Sequence, residues 1–158
     1  MRSRSWVVLA GLVALCLAVG GLGGWVTAQS VADWYPTLAK PAWNPPAWVF
    51  GPVWTALYVM MAVAAWLVWR RGPDAPAVRA ALVLFFVQLA LNGLWSPLFF
   101  GLRAPGLAAL DIAALWAMIA LTTTAFFRQS RAAGLLMLPY LAWASFAAVL
   151  NFTIWRMN

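Results

Sequence analysis

The chain has 158 residues, 66% of them hydrophobic and only 8% charged, with a net charge of +7. A soluble domain carries about a quarter charged residues, so this composition excludes a soluble globular protein and points to a one-domain, polytopic membrane protein. Nucleic-acid binding is excluded as well, because Arg2, Arg4, Arg70, Arg71, Arg79, Arg103, Arg128, Arg131 and Arg156 flank apolar runs instead of clustering in one basic patch.

Five apolar runs follow one another, at 6–28, 47–69, 77–101, 106–127 and 132–155. Each is long enough to cross a hydrocarbon core of about 30 Å as a helix. Backbone groups in lipid must be satisfied within the segment, and the alternating pattern of a membrane barrel is absent, so the expected fold is all-α: a five-transmembrane-helix bundle. The first run has two readings. Arg2 and Arg4, an apolar stretch and Val26-Thr27-Ala28 resemble a signal peptide with its cleavage site. The run is long for that role, and Trp25 and a glycine cluster precede the site, which favours a retained helix. Gly20 and Gly24 form a G-x-x-x-G pair that permits close helix approach, within the bundle or between two copies.

The segment 29–46 is the one long connection; the other three are short and make sequential helices antiparallel neighbours. It contains Trp34, Pro36, Lys40, Pro41, Trp43, Pro45 and Pro46. Proline fixes φ and removes a backbone donor, so this is a stiff, irregular segment and not a helix. It reads as an aromatic lid over a pocket for a flat, apolar ligand, with Lys40, or a basic residue nearby, at the pocket mouth. With the N-terminus inside, the inner segments hold Arg2, Arg4, Arg70, Arg71, Arg79, Arg128 and Arg131, against Lys40, Arg103 and Arg156 outside. That excess predicts N-terminus inside, C-terminus outside and the lid outside.

Three helix faces carry the candidate chemistry. Trp54 and Tyr58 lie one turn apart in the second run. Gln88, Asn92, Trp95, Ser96 and Phe99 fall on one face of the third, and Trp143, Phe146, Ala147, Leu150 and Asn151 on one face of the fifth. Each has a plain reading, as interhelical hydrogen bonding for the amides and core packing for the aromatics. Together they would build an apolar cavity with a few polar anchors, the usual make-up of a small-molecule site. Asp111 lies early in the fourth run, where the helix dipole favours a carboxylate. There is no histidine, one cysteine (Cys16), no catalytic triad and no phosphate-binding loop. No metal site and no required cofactor are expected.

Three blocks resemble the translocator protein family, also called tryptophan-rich sensory proteins or peripheral-type benzodiazepine receptors. They are Trp34-Tyr35 with Lys40-Pro41-x-Trp43-x-Pro45-Pro46-x-Trp48 through Pro52-x-Trp54-x-x-Leu57-Tyr58; Gln88-Leu89-x-Leu91-Asn92-x-x-Trp95 with Phe99-Phe100-Gly101; and Pro139-Tyr140-Leu141-x-Trp143-x-x-Phe146-Ala147 through Leu150-Asn151 and Trp155. They span nearly the whole chain, in order. The resemblance implies five helices with the first retained, a homodimer, and a pocket closed by the first loop. It implies porphyrins such as protoporphyrin IX as ligands. The family pocket falls on Trp54, Asn92, Trp95, Trp143, Phe146, Ala147 and Leu150, with Trp34, Pro45, Trp48, Val49 and Phe50 near the lid. For bacterial members it also implies light-driven porphyrin breakdown using tryptophans that match Trp54 and Trp143. Phe152 stands where the family's cholesterol motif needs tyrosine, so sterol binding is not expected. The resulting expectation is a bacterial integral membrane, porphyrin-binding sensor or regulator. A porphyrin-degrading enzyme with Trp54 and Trp143 as its catalytic residues, and a porphyrin or small-lipid transporter, are the alternatives. Membrane lipid, the porphyrin and a second copy are the expected partners.

Overall fold

The computed structural model describes residues 2–158. Five long helices follow in order: α1 (Arg2–Ala28), α2 (Ala47–Trp69), α3 (Pro76–Ser96), α4 (Pro105–Gln129) and α5 (Arg131–Met157). All five are long and apolar enough to cross a membrane. The protein is an all-α membrane bundle, as the composition requires.

Proline sets most of the boundaries. Pro46 precedes α2 in an extended conformation that cannot continue a helix backwards, and Pro76 and Pro105 open α3 and α4. At a first helical position the missing N–H is one that would have no intrahelical partner anyway. α5 follows α4 after one residue, Ser130, whose hydroxyl accepts a hydrogen bond from the Ala133 N–H at 3.3 Å and so caps the helix. The junction closes this tightly because residue 134 is glycine: a Cβ there would collide with the Phe127 ring.

The third run does not continue as one regular helix. Pro97–Gly101 forms a π-helical turn, with the Leu102 N–H donating to the Pro97 carbonyl at 2.8 Å. Pro97 has no N–H to give to the preceding turn, and the wider turn accommodates that loss. A strict helical period puts Phe99 inward and turns Phe100 away. The wider turn buries both, at 2% and 7% exposure.

Helices α2, α3, α4 and α5 share the core, in which Met61, Phe85, Leu115, Ile119, Phe126, Met137 and Tyr140 are essentially inaccessible. α1 sits at the periphery against α2 and α3; of its described side chains only Cys16 is buried. The two ends of the G-x-x-x-G pair differ. Gly20 lies under the Tyr58 ring, which a Cβ would strike, whereas Gly24 has no neighbour within 4 Å. Gly20 therefore serves packing inside the bundle.

This contrast yields a stability prediction. Gly20→Ala overpacks the α1–α2 contact, and overpacking costs about 1–3 kcal/mol. Thermal unfolding in detergent should show a clearly lower midpoint for Gly20→Ala and an unchanged one for Gly24→Ala.

Candidate functional site

A closed chain of buried polar groups ties three helices together near mid-bundle. The Tyr58 hydroxyl of α2 donates to Asn92 Oδ1 of α3. Asn92 Nδ2 donates to the Tyr140 hydroxyl of α5 at 2.8 Å, and that hydroxyl donates to Gln88 Oε1 at 2.7 Å. Gln88 Nε2 reaches the Met61 sulfur at 3.9 Å. Asn92 and Gln88 are one helical turn apart, so a single face of α3 serves both neighbours. A buried amide left unpaired costs several kcal/mol in an apolar medium, and here the amides find partners within the protein. Trp54 packs on the outer side of this chain, with ring centroids 5.7 Å from Tyr58 and 6.2 Å from Tyr140.

Toward the end of the bundle where α1 ends and α2 begins lies an apolar cavity of about 140 Å³. Thr27 and Val31 close it on the α1 side, and Tyr35 comes from the first loop. Ala47 and Phe50 come from the start of α2, with Trp95, Phe99 and Phe100 from the end of α3 and its π turn. Ala147, Leu150, Asn151 and Ile154 complete the wall from α5. Trp95 and Phe99 stack at 5.0 Å, and the Trp95 indole N–H donates to Asn151 Oδ1 at 2.8 Å. Asn151 Nδ2 in turn donates to the Pro105 carbonyl at 2.9 Å, so one amide joins α3, α4 and α5 at the cavity wall. Trp143 stands next to this wall, 5.9 Å from Phe50 and 5.2 Å from Phe146. Its indole nitrogen is buried and has no hydrogen-bond partner among the described residues.

The loop over the cavity is a fastened structure. A short 3-10 turn, Tyr35–Thr37, follows Trp34. The Trp34 and Tyr35 rings rest on Phe99 and Phe100 at 5.6 to 6.4 Å, and Trp43 rests on Phe146 at 5.9 Å. Ser30 donates to the Phe100 carbonyl at 2.9 Å in a buried contact. Asp33 pairs with Arg103 at 3.1 Å, both exposed. Arg103 has φ of 52°, a left-handed conformation that is uncommon outside glycine. The Tyr35 phenol donates to Asn44 at 3.2 Å, and burial pushes its pKa up, so it remains a donor. Asn158, at the end of α5, grips the loop on both sides of one residue. It accepts from the Ala39 N–H at 2.9 Å and donates to the Ala39 carbonyl at 3.0 Å.

Of the site residues expected from sequence, Phe50, Trp95, Ala147 and Leu150 line the cavity. Trp143 and Phe146 sit immediately behind that wall, and Trp34 lies in the lid packing. Pro45 and Val49 are partly buried in the lid and the first turn of α2 without reaching the cavity lining. Trp48 is 76% exposed and faces away. Tyr58 and Asn92 belong to the polar chain, and Trp54 packs against it; these three are not in the cavity lining. Lys40 is spent on the lid itself: Nζ donates to the Tyr35 and Leu38 carbonyls at 2.8 and 2.9 Å and lies over the Tyr35 ring. Asp111 is buried with neither oxygen bonded among the described residues, and it lies beyond the first turn of α4, where the helix dipole no longer supports a carboxylate. Sequence reasoning missed Thr27 in the last turn of α1 and Val31 just beyond it, as well as Tyr35, Ala47 and Ile154, and it missed Phe100, which only the π turn brings inward.

A helical membrane bundle with a lidded aromatic cavity is the class that fold and site define. The TspO/MBR family matches residues 12–156. The tryptophan-rich protein TspO of Chlorobaculum tepidum is 47% identical over 156 residues, covering 99% of both chains. The protein of the same name from Archaeoglobus fulgidus is 43% identical over 152 residues, 96% of each chain. The translocator protein of Bos taurus is 38% identical over 154 residues, 97% of this chain and 91% of its own. The chain belongs to the TspO/MBR family of integral membrane proteins.

The double clasp on Ala39 makes a local prediction. Asn158→Ala removes both side-chain bonds, each worth about 0.5–1.5 kcal/mol. Hydrogen exchange should then accelerate at Ala39 and its neighbours in the lid, while exchange in α3 stays unchanged.

Proposed function

We propose that the protein is a membrane receptor for a flat tetrapyrrole such as protoporphyrin IX, serving as a sensor or regulator. The observation that carries this reading is the unpaired indole N–H of Trp143 behind an aromatic wall. A buried donor without an acceptor is unfavourable, and a ligand carboxylate or carbonyl would supply what it lacks. The stacked Trp95 and Phe99 rings and the Phe50 edge offer surfaces that suit a planar, apolar ring.

The cavity volume of about 140 Å³ describes a closed form. Sites for drug-sized ligands measure roughly 300–1,000 Å³, so a porphyrin enters only when the lid lifts and Phe50 and Tyr35 swing aside. Proline restricts the loop and limits the entropy lost on reclosure. The arginine distribution favours the lid and the C-terminus outside and the N-terminus inside, in what we read as a bacterial membrane. Gly21, with no neighbour within 4 Å, lies beside exposed Leu22 and Trp25. This is the surface a second copy would use. Light scattering of Gly21→Leu should then report a monomer where the parent reports a dimer.

Titrating protoporphyrin IX and following tryptophan fluorescence tests the binding reading. Trp143→Phe keeps the ring and removes the donor, which should weaken binding about two- to tenfold, the range of one hydrogen bond. Trp48→Ala should bind like the parent. Unchanged affinity in Trp143→Phe would place the ligand elsewhere. Illuminating the same samples separates binding from breakdown: loss of porphyrin absorbance that requires Trp54 or Trp143 would make the protein an enzyme.

A further inference from the structure

The opposite end of the bundle holds a second concavity, larger than the lidded one and different in chemistry. It measures about 860 Å³ and lies where α1 begins, α2 ends and the connection to α3 turns through Gly72, Pro73 and Asp74. Its lining combines three indoles with two guanidinium groups: Trp6, Trp66 and Trp69 with Arg4 and Arg70.

These side chains are arranged, not merely near one another. Trp6 and Trp66 stack with centroids 5.5 Å apart and an interplanar angle of 27°. The Trp66 indole N–H is fixed by the Ser5 carbonyl at 2.9 Å and the Ser5 hydroxyl at 3.1 Å. The Arg70 guanidinium lies over the Trp66 ring at 4.7 Å. Neither Arg4 nor Arg70 has an ion-pair partner among the described residues, where the one salt bridge joins Arg103 to Asp33 near the lid. Asp74 is the single acid in the lining and is exposed. Arg71, Arg79, Arg128 and Arg131 stand at the same end of their helices, so the local field is strongly positive. Trp6 is 60% exposed and turns apolar surface outward from the bundle.

We propose that this basin binds an anionic phospholipid, with its headgroup phosphate between Arg4 and Arg70 and the upper part of an acyl chain against Trp6. The charge of the lining selects an anion. The indoles select an amphiphile over free phosphate, which has no use for apolar walls. Tryptophan and arginine at a helix end are the residues that sit at the level of lipid headgroups. A basic side chain near an anionic lipid surface contributes roughly fivefold in affinity, so the pair predicts about a 25-fold preference for anionic over zwitterionic lipid. The proposal stands independently of the porphyrin reading, because it uses the other end of the molecule.

The test uses the full chain in lipid nanodiscs containing increasing mole fractions of acyl-brominated phosphatidylglycerol or acyl-brominated phosphatidylcholine, read by tryptophan quenching. Half-maximal quenching should fall at a mole fraction at least about tenfold lower for phosphatidylglycerol. Arg4→Gln with Arg70→Gln should abolish that difference. Arg128→Gln with Arg131→Gln removes the same charge at the same end and should preserve it. Circular dichroism would verify that both variants are folded. Millimolar inorganic phosphate should not compete. Equal quenching by the two lipids overturns the proposal, as does the same loss in both double variants, which would reduce the effect to general surface charge. Displacement by inorganic phosphate also overturns it, assigning the arginines to a soluble anion.

Discussion

The hydrogen-bonded chain of Tyr58, Asn92, Tyr140 and Gln88 is the constraint on which the rest of the bundle depends. In hydrocarbon no water is available to satisfy an amide or a phenol, so these groups must find one another. They can do so only if α2, α3 and α5 hold one register and one rotation. Gly20 of α1 then follows, because the fixed Tyr58 ring occupies the space where its side chain would be. Trp54 follows too, seated on the outer faces of the two tyrosines. The polar groups of this layer are spent on each other, and the cavity is lined by other residues, mostly aromatic and aliphatic, with Thr27 and Asn151 as polar members.

That division explains which parts of the molecule were legible in its sequence. The five helices were readable because lipid demands about twenty apolar residues per span, and arginine and proline mark the ends. The bounds of α2 were read to the residue from Pro45-Pro46 and from Trp69 before Arg70-Arg71. The faces carrying Asn92, Trp95 and Trp143 were also readable, because helical spacing puts them on common sides. What spacing cannot tell is which partner a polar side chain will find. Asn92 reads either as an interhelical hydrogen bond or as a ligand contact, and it is engaged by two tyrosines from other helices. Phe100 was invisible because a helical period turns it outward, and only the π turn that Pro97 forces brings it in. Lys40 shows the same limit: its charge says nothing of its partners, and two of its three donors go to carbonyls of its own loop.

The two ends of the bundle carry unlike chemistry. At the lid end the cavity is apolar and closed, and the loop over it is held by aromatic contacts, one exposed ion pair and the Asn158 clasp on Ala39. Most of these are individually worth about a kilocalorie per mole or less. Contacts of this size are weak beside those of the buried core, so the loop is the part of the fold least costly to displace. At the arginine end the hollow is open and positively charged, and its indoles are already stacked in place.

The most direct test of the central account is an experimental structure of the protein with protoporphyrin IX bound. The account predicts the ring between the Trp95–Phe99 stack and Phe50, with the lid displaced and the Trp143 indole nitrogen within hydrogen-bond distance of a ligand oxygen. It also predicts that the four-membered polar chain is unchanged from the closed form. A porphyrin bound outside the bundle, or one that breaks the Tyr58–Asn92–Tyr140 bonds, would contradict it.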